Sequence, residues 1–213
     1  MSRPQEHPLR IEHLEAVLTA FPVPVDGPDA SIADVAVVCH PHPLHEGTMN
    51  NKVVTTLVRM ARDLGMPALR FNFRGVGESG LGWDDGRGEI EDAQLAIAEM
   101  RRRYPGARVW LMGFSFGSYV AAQASLRETL AGLVLIAPAT SRFDMASVQV
   151  AVPTFVAFNR DDDTVEPTSM QAWVDAQTYP LTCAIENEGG HFYHGRLGPL
   201  KRAVQAWIES VRT

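Results

Sequence analysis

Short, continuously apolar segments alternate with amphipathic segments along most of this chain, and this alternation limits the fold more than any other feature. Strands that are apolar throughout are typical of a parallel sheet buried on both faces, whereas the amphipathic segments have helical spacing. We therefore predict an α/β fold with a mostly parallel, doubly wound sheet and helices on both faces. The predicted strands span residues 32–40, 67–73, 107–115, 131–138, 153–160 and 181–190.

The chain has 213 residues, 46% of them hydrophobic, which is enough for one domain with a large core. We predict a single domain, with a β-hairpin over 9–21 in an N-terminal region (1–30) and the main core over 31–213. Only about fifteen residues separate Pro138 from Pro153, between two predicted strands. This connection is too short for a helical cap, so no cap domain is expected and the nearby end of the sheet should be open.

Several classes of function fit the sequence poorly. The formal charge is -6, and basic residues cluster only at a predicted helix end (101–103), so no nucleic-acid partner is expected. The N-terminus is polar and no apolar run approaches the roughly 20 residues of a membrane helix, so we expect no membrane association and a cytoplasmic location. Two cysteines, Cys39 and Cys183, cannot build a disulfide framework, and both are expected to be buried.

The stretch GVGESG (75–80) matches the spacing of a dinucleotide-binding loop. That loop has to open directly into a helix, because the helix N-terminus binds the pyrophosphate. Here LGWDDGRG (81–88) intervenes before the next predicted helix, so no cofactor is predicted.

The stretch GFSFG (113–117) places a serine between two glycines, after a predicted strand and before a predicted helix. In this setting the G-x-S-x-G pattern forms a strained turn that exposes the serine hydroxyl, and the glycines keep neighbouring backbone from colliding. We therefore predict that Ser115 is a nucleophile and that the N–H of Phe116 points at the reaction centre. The alternative is a serine that only caps the helix.

A serine nucleophile needs a base and an acid that orients the base. After a G-x-S-x-G turn, the acid and then a histidine are expected further along the chain, each at a strand end. Three aspartates (161–163) follow the predicted strand 153–160, and GGHFYH (189–194) ends the last predicted strand. The chain thus contains the required residue types in the required order.

Five stretches carry a resemblance to a known family: CHPHPLHEGTMNNKVV (39–54), FNFRGVGESG (71–80), GFSFG (113–117), DDDTVEP (161–167) and GGHF (189–192). From about Val35 onwards, the chain resembles small, lidless α/β-hydrolases of the dienelactone-hydrolase and esterase type. The resemblance implies a triad of Ser115, Asp162 and His191. The family's acid usually stands in G-x-x-D-x-x-V, and here Asn159 replaces the glycine. Asp163 therefore remains the alternative acid, and His194 the alternative base.

The stretch CHPHPLH (39–45) allows two interpretations. One is a zinc site at His40, His42 and His45, since His-x-His at a strand end is a familiar ligand arrangement. However, the adjacent side chains of Cys39 and His40 would point to opposite faces of a strand. The resemblance instead implies an oxyanion-hole loop, with the N–H of His42 as second donor and that of Leu44 as the alternative. His40 would then be structural and would hold the loop in place.

The leading hypothesis is a serine carboxylesterase that acts on a small-molecule ester without a metal or cofactor. The predicted walls of its cleft are Leu44, Met49, Phe114 and Tyr193, together with Phe116. Thioester, lactone or peptide hydrolysis by the same triad is the nearest alternative. Metal-dependent hydrolysis at the histidine loop and a non-catalytic binding protein on the same scaffold are further alternatives.

Overall fold

A computed structural model describes residues 5–20 and 31–212 and contains an eight-stranded sheet flanked by helices. The strands are β1 (Gln5–Ile11), β2 (Leu14–Ala20), β3 (Asp34–Cys39), β4 (Ala68–Phe71), β5 (Arg108–Phe114), β6 (Gly132–Ile136), β7 (Thr154–Asn159) and β8 (Leu181–Glu186). The helices are α1 (Lys52–Asp63), α2 (Arg87–Arg103), α3 (Phe116–Ser125), α4 (Pro167–Asp175) and α5 (Leu197–Val211), and a short 3-10 turn spans Pro43–His45.

Six strands run parallel in the order β4-β3-β5-β6-β7-β8. β3 lies between the two strands that follow it in the chain, so the chain winds first to one side of β3 and then to the other. This is the doubly wound, mostly parallel sheet that the sequence predicts. In such sheets ligand sites form where the winding direction changes, at the carboxyl ends of the strands.

The predicted hairpin over 9–21 corresponds to β1 and β2, which pair antiparallel from Gln5 to Ala20. β2 also pairs antiparallel with β4, so the hairpin extends the sheet at that edge. Phe21 lies outside the described residues.

Helices cover both faces of the sheet, as predicted. Alternate residues of β3 point to opposite faces: Val35 and Val37 join a core with α2, α3 and α4, whereas Ala36 and Val38 join a core with α1 and α5. All four side chains are fully buried. Because both faces of the sheet are buried, the sequences of its strands are apolar throughout.

Local signals fix where the helices near the site begin. Asn51 accepts the N–H of Val53 through its side chain at 2.8 Å and thereby caps α1. The buried Glu89 carboxylate accepts the N–H groups of Asp84 and Gly86 at the start of α2, and burial raises the pKa of this carboxyl. In the described part of the chain, no helix has the length and apolar character needed to cross a bilayer.

The connection between β6 and β7 forms turns, without a helix or strand in residues 137–153, all of which the structure describes. The carboxyl ends of the central strands are therefore uncapped, in agreement with the sequence. One burial prediction was wrong: Cys39 is buried, but Cys183 is exposed. Cys183 lies on β8, the strand at the edge of the sheet, where neighbouring elements cover it less.

Candidate active site

Ser115 occupies a sharp turn between β5 and α3. Its backbone angles, φ 54° and ψ -116°, are unusual for a residue with a side chain, and such strain is typically held in place by the surrounding structure at functional sites. The flanking glycines explain how the turn closes. A Cβ at Gly113 would lie 2.6 Å from the N of Ser118, and a Cβ at Gly117 would lie 2.6 Å from the carbonyl oxygen of His40. Larger residues at either position would force the backbone apart.

A continuous hydrogen-bonded chain links Ser115, His191 and Asp162. Ser115 Oγ is 2.9 Å from His191 Nε2, and His191 Nδ1 is 2.7 Å from Asp162 Oδ2. An ionised carboxylate can only accept, so Nδ1 carries the proton and Nε2 is free to accept the serine hydroxyl proton. All three side chains are buried, and Ser115 is 8% exposed. The loops after β5, β7 and β8 bring the three residues together.

The loop after β7 determines which aspartate meets the histidine. Asp162 Oδ1 accepts the backbone N–H groups of Thr164 and Val165 at 2.9 and 2.8 Å. Its other oxygen is thereby aimed at His191. Asp163 is exposed and contacts the hydroxyl of Thr164 at 3.2 Å. Asp162, not Asp163, is therefore the aspartate next to the imidazole.

Sequence reasoning missed two side chains that hold the histidine loop. Asn159, fully buried at the end of β7, donates its amide to the Gly190 carbonyl oxygen at 2.7 Å. Asp161 accepts the N–H groups of Gly190 and Gly189 at 2.9 and 3.0 Å, and these two bonds hold the pKa of its carboxyl below the usual value. The substitution of the family's glycine by Asn159 was the available signal.

His194, the alternative base, is exposed, and its backbone N–H donates to the Gly189 carbonyl oxygen at 2.8 Å. Its ring contacts Phe192 at 6.2 Å between centroids. The imidazole that reaches Ser115 is that of His191.

The predicted oxyanion donors are the backbone N–H of Phe116 and that of either His42 or Leu44. Phe116 is the first residue of α3, where the N–H has no intrahelical acceptor. In the loop after β3, the N–H of Leu44 donates to His42 Nδ1 at 3.1 Å, whereas the N–H of His42 donates to none of the described residues. Of these two N–H groups, that of Leu44 is therefore the less available. The close approach at Gly117 brings this loop against the start of α3.

His40 connects the same loop to the segment that follows β4. Its Nε2 accepts the N–H of Phe73 at 3.0 Å, so the proton lies on Nδ1, which donates to the Pro41 carbonyl oxygen at 2.6 Å. Burial lowers the pKa of His40 to about 4, so the ring is neutral at neutral pH. Both ring nitrogens of His40 therefore form hydrogen bonds within the protein. Among the described residues, no group of three His, Cys, Asp or Glu side chains could hold a metal ion.

A cavity of about 500 Å³ opens beside Ser115, a size within the range of small-molecule sites. Its lining combines the rings of His42, His45, Phe116, Phe143 and Phe192 with other polar side chains, among them Glu46, Asn51, Arg142 and Thr164. The Arg142 guanidinium donates twice to the Thr164 carbonyl oxygen, at 3.2 and 3.1 Å. Burial and then the neighbouring charges of His45 and Arg142 lower the pKa of His42.

The four residues predicted as cleft walls besides Phe116 do not line this cavity, which corrects that prediction. Leu44 is 65% exposed at the tip of the 3-10 turn. Met49, Phe114 and Tyr193 are buried, and the last two belong to the core on the α1/α5 face. These residues are close to the site in sequence, but their side chains pack inside the protein or point to solvent.

The chain is similar to a known family and to several known proteins. A family model described as serine aminopeptidase, S33, matches residues 34–161. The uncharacterized protein RP471 of Rickettsia prowazekii (strain Madrid E) is 30% identical over 192 residues, which are 85% of this chain and 81% of that protein.

Two solved structures are similar over nearly their whole length. XC6422 from Xanthomonas campestris, an α/β serine hydrolase without lid, is 32% identical with a TM-score of 0.87, over 99% of this chain and 95% of that one. An α/β serine hydrolase homologue from Coxiella burnetii is 34% identical with a TM-score of 0.85, over 97% of each chain. The chain therefore belongs to the serine aminopeptidase S33 family, among the α/β serine hydrolases that lack a lid.

Proposed function

We propose that the protein hydrolyses small carboxylic esters by acyl transfer through Ser115, His191 and Asp162. The observation that carries the proposal is the hydrogen bond of 2.9 Å between Ser115 Oγ and the His191 nitrogen opposite the one bonded to Asp162. A serine hydroxyl is a weak nucleophile unless a base removes its proton as it attacks. In this arrangement the base is present and oriented.

In the first half-reaction, Ser115 Oγ attacks the ester carbonyl while His191 Nε2 takes the hydroxyl proton. The imidazolium that forms is stabilised by the Asp162 carboxylate. His191 then returns the proton to the alcohol oxygen as the C–O bond breaks, which leaves an acyl-serine. Water repeats the sequence in the second half-reaction and releases the acid.

The negative charge of the tetrahedral intermediate is assigned to the N–H groups of Phe116 and His42. Each such donor typically lowers the barrier by about 3 kcal/mol. The tight turn at Ser115 supports this assignment, because Phe116 directly follows the nucleophile and is the first residue of α3. Both donors belong to rigid segments, the first turn of α3 and the loop tied down by His40.

The uncapped cavity favours a small substrate over a polymer-sized one, since about 500 Å³ is open beside Ser115. The same groups could attack a thioester, a lactone or an amide. We assign esters, and the apolar surface that Phe116, Phe143 and Phe192 give to the lining supports an ester with an apolar group. The lining also contains the polar side chains of Glu46, Asn51 and Arg142. A direct comparison of p-nitrophenyl acetate with p-nitroacetanilide tests this choice, since both release a chromophore from the same acyl group.

The nucleophile is tested by incubating the protein with a fluorophosphonate and mapping the adduct by mass spectrometry. We expect a single adduct on Ser115 and no turnover above background in Ser115→Ala. An adduct on another residue, or full activity of Ser115→Ala, would refute the proposed function.

A further inference from the structure

One wall of the cavity beside Ser115 consists of three aromatic rings in mutual contact. The ring centroids of His42, Phe116 and Phe143 are 4.9 to 5.6 Å apart, and all three residues line the cavity. His42 and Phe116 also carry the proposed oxyanion donors. The wall therefore includes the two residues that carry those donors, and Phe143 extends it by one more ring.

A second layer of rings holds this wall in place. Tyr119 stacks on Phe143 at 4.9 Å with an angle of 23° between the planes. Trp83 contacts His42 at 4.6 Å and Phe116 at 5.1 Å. Because the wall is fixed before a ligand arrives, little conformational freedom is lost when a ligand packs against it.

Phe192 lines the same cavity from the side of the histidine loop. Its ring meets that of His191 edge-on, at 5.1 Å and 88°, and also contacts Phe114 and His194. With 46% of its surface exposed, Phe192 is one of four large apolar side chains that are open to solvent within residues 5–20 and 31–212. A substrate that occupies the cavity would thus have aromatic neighbours from two different loops.

The aliphatic part of the lining is small by comparison. Among the described lining residues it comprises Pro41, Ala139 and Val165, and no Leu, Ile or Met is present. Flexible alkyl chains bind through any apolar surface, whereas a planar ring gains additional energy from offset and edge-to-face contacts with other rings. The composition of the wall therefore favours a ring over a chain.

Building on the proposed function, we infer that the substrate is an ester that carries a planar aromatic group, and that Phe143 is a residue that determines this specificity. Phe143 belongs to the β6–β7 connection and is half-buried. It supplies a ring to the cavity without contributing a group to the proposed chemistry.

The inference is tested with two pairs of esters that differ only in the ring. Methyl phenylacetate and methyl cyclohexylacetate place the ring on the acyl side, whereas benzyl acetate and cyclohexylmethyl acetate place it on the alcohol side. In each pair one carbon separates the ring from the reacting group, so the intrinsic reactivities are similar. We expect kcat/KM to favour the aromatic ester by about three- to tenfold in at least one pair.

The same ratio is then measured in two variants. Phe143→Leu should bring the favoured pair close to equal rates, whereas Phe143→Tyr should keep the preference because it keeps the ring. A ratio taken within one variant does not depend on the fraction of active protein, and fluorophosphonate labelling measures that fraction separately.

The possible outcomes separate this inference from the function on which it rests. Equal rates in both pairs, with Ser115 labelled and esters hydrolysed, would overturn the inference alone. A preference that persists in Phe143→Leu would overturn the role of Phe143. No labelling and no hydrolysis of any ester would overturn the proposed function, and this inference with it.

Discussion

Asn159 donates its side-chain amide to the carbonyl oxygen of Gly190, the residue that precedes His191, at 2.7 Å. Asp161, two positions further along, accepts the N–H groups of Gly190 and Gly189. The segment that contains Asp162 therefore also forms hydrogen bonds with the backbone that leads to His191. The separation of the proposed acid and base is set by three side chains of one short segment.

Replacing Asn159 by glycine introduces the residue that is usual at this position in the family that the sequence resembles. The change removes the hydrogen bond from the Asn159 amide to the Gly190 carbonyl oxygen. The Gly190 carbonyl loses its partner, although Asn159 Oδ1, which is buried and unpaired among the described residues, is removed as well. We expect the free energy of unfolding to fall by about 1 kcal/mol. Because His191 is displaced, we also expect kcat to decrease by a larger factor than that by which KM increases. Urea denaturation and steady-state kinetics measure both effects. Wild-type values of kcat for Asn159→Gly would show that the amide bond does not position the base.

Asp161→Ala removes the two backbone contacts on the other side of the histidine loop. We expect kcat to fall by about tenfold, since small displacements of a catalytic group are costly. Asp163→Ala is the matched control, because Asp163 is exposed on the same loop and contacts Thr164 rather than the histidine loop. Its kcat should remain within about twofold of wild type, as is usual for surface changes. Equal losses in the two variants would argue against a specific role for Asp161.

Asp162→Asn tests which aspartate orients the base. An amide cannot reproduce the carboxylate that accepts from His191 Nδ1 and stabilises the imidazolium, and the equivalent change in serine proteases lowers kcat by about 10⁴-fold. We expect a loss of this order in kcat for ester hydrolysis, with little change for Asp163→Asn. If Asp163→Asn were the inactive variant, the geometry around His191 would have to rearrange in solution.

The fold and the nucleophile turn were predictable because their signals are local. Continuous apolar strands indicate a sheet buried on both faces, and the glycines of GFSFG are needed within the turn itself, so Ser115 can be located from five residues. The aspartate was harder to predict. Its identity depends on the N–H groups of Thr164 and Val165, which orient Asp162 only once the loop has folded.

The cavity walls were the least predictable part, because they depend on side-chain direction in three dimensions. Met49 and Phe114 are near the site in sequence but point into the core. Phe143 lies in the connection between β6 and β7, far from any catalytic motif, and contacts Phe116 only after the strands have paired. Phe192 was accessible to sequence reasoning, since it directly follows His191.

His40 should make the stability of the protein depend on pH. Burial holds its folded-state pKa at about 4, below the usual 6.5, so the unfolded chain takes up a proton in this range before the folded protein does. The contribution of neutral His40 to the free energy of unfolding is therefore fully present above about pH 6.5. It decreases by an amount on the order of 3 kcal/mol as the pH falls towards 4. His40→Gln should be less stable at neutral pH and should show a flatter pH dependence in urea denaturation. Parallel curves for the two proteins would contradict this account of His40.

Because α3 closely approaches the end of β3, we expect that one methyl group added at Gly117 strongly lowers kcat. In Gly117→Ala the new Cβ would lie 2.6 Å from the His40 carbonyl oxygen, so the helix start and the oxyanion loop would have to separate. We expect a fall in kcat of at least about 100-fold, because the Phe116 and His42 donors would no longer converge.

Gly198→Ala is the matched control for this change. Gly198 is also the second residue of a helix, α5, but the nearest atom to its added Cβ is 3.6 Å away at the end of the Arg202 side chain. This variant should keep wild-type kcat and gain about 0.4 to 1 kcal/mol in stability from a less flexible unfolded chain. Ester kinetics and thermal unfolding of both variants give the comparison. Full activity in Gly117→Ala would mean that the oxyanion donors do not depend on the contact between α3 and β3.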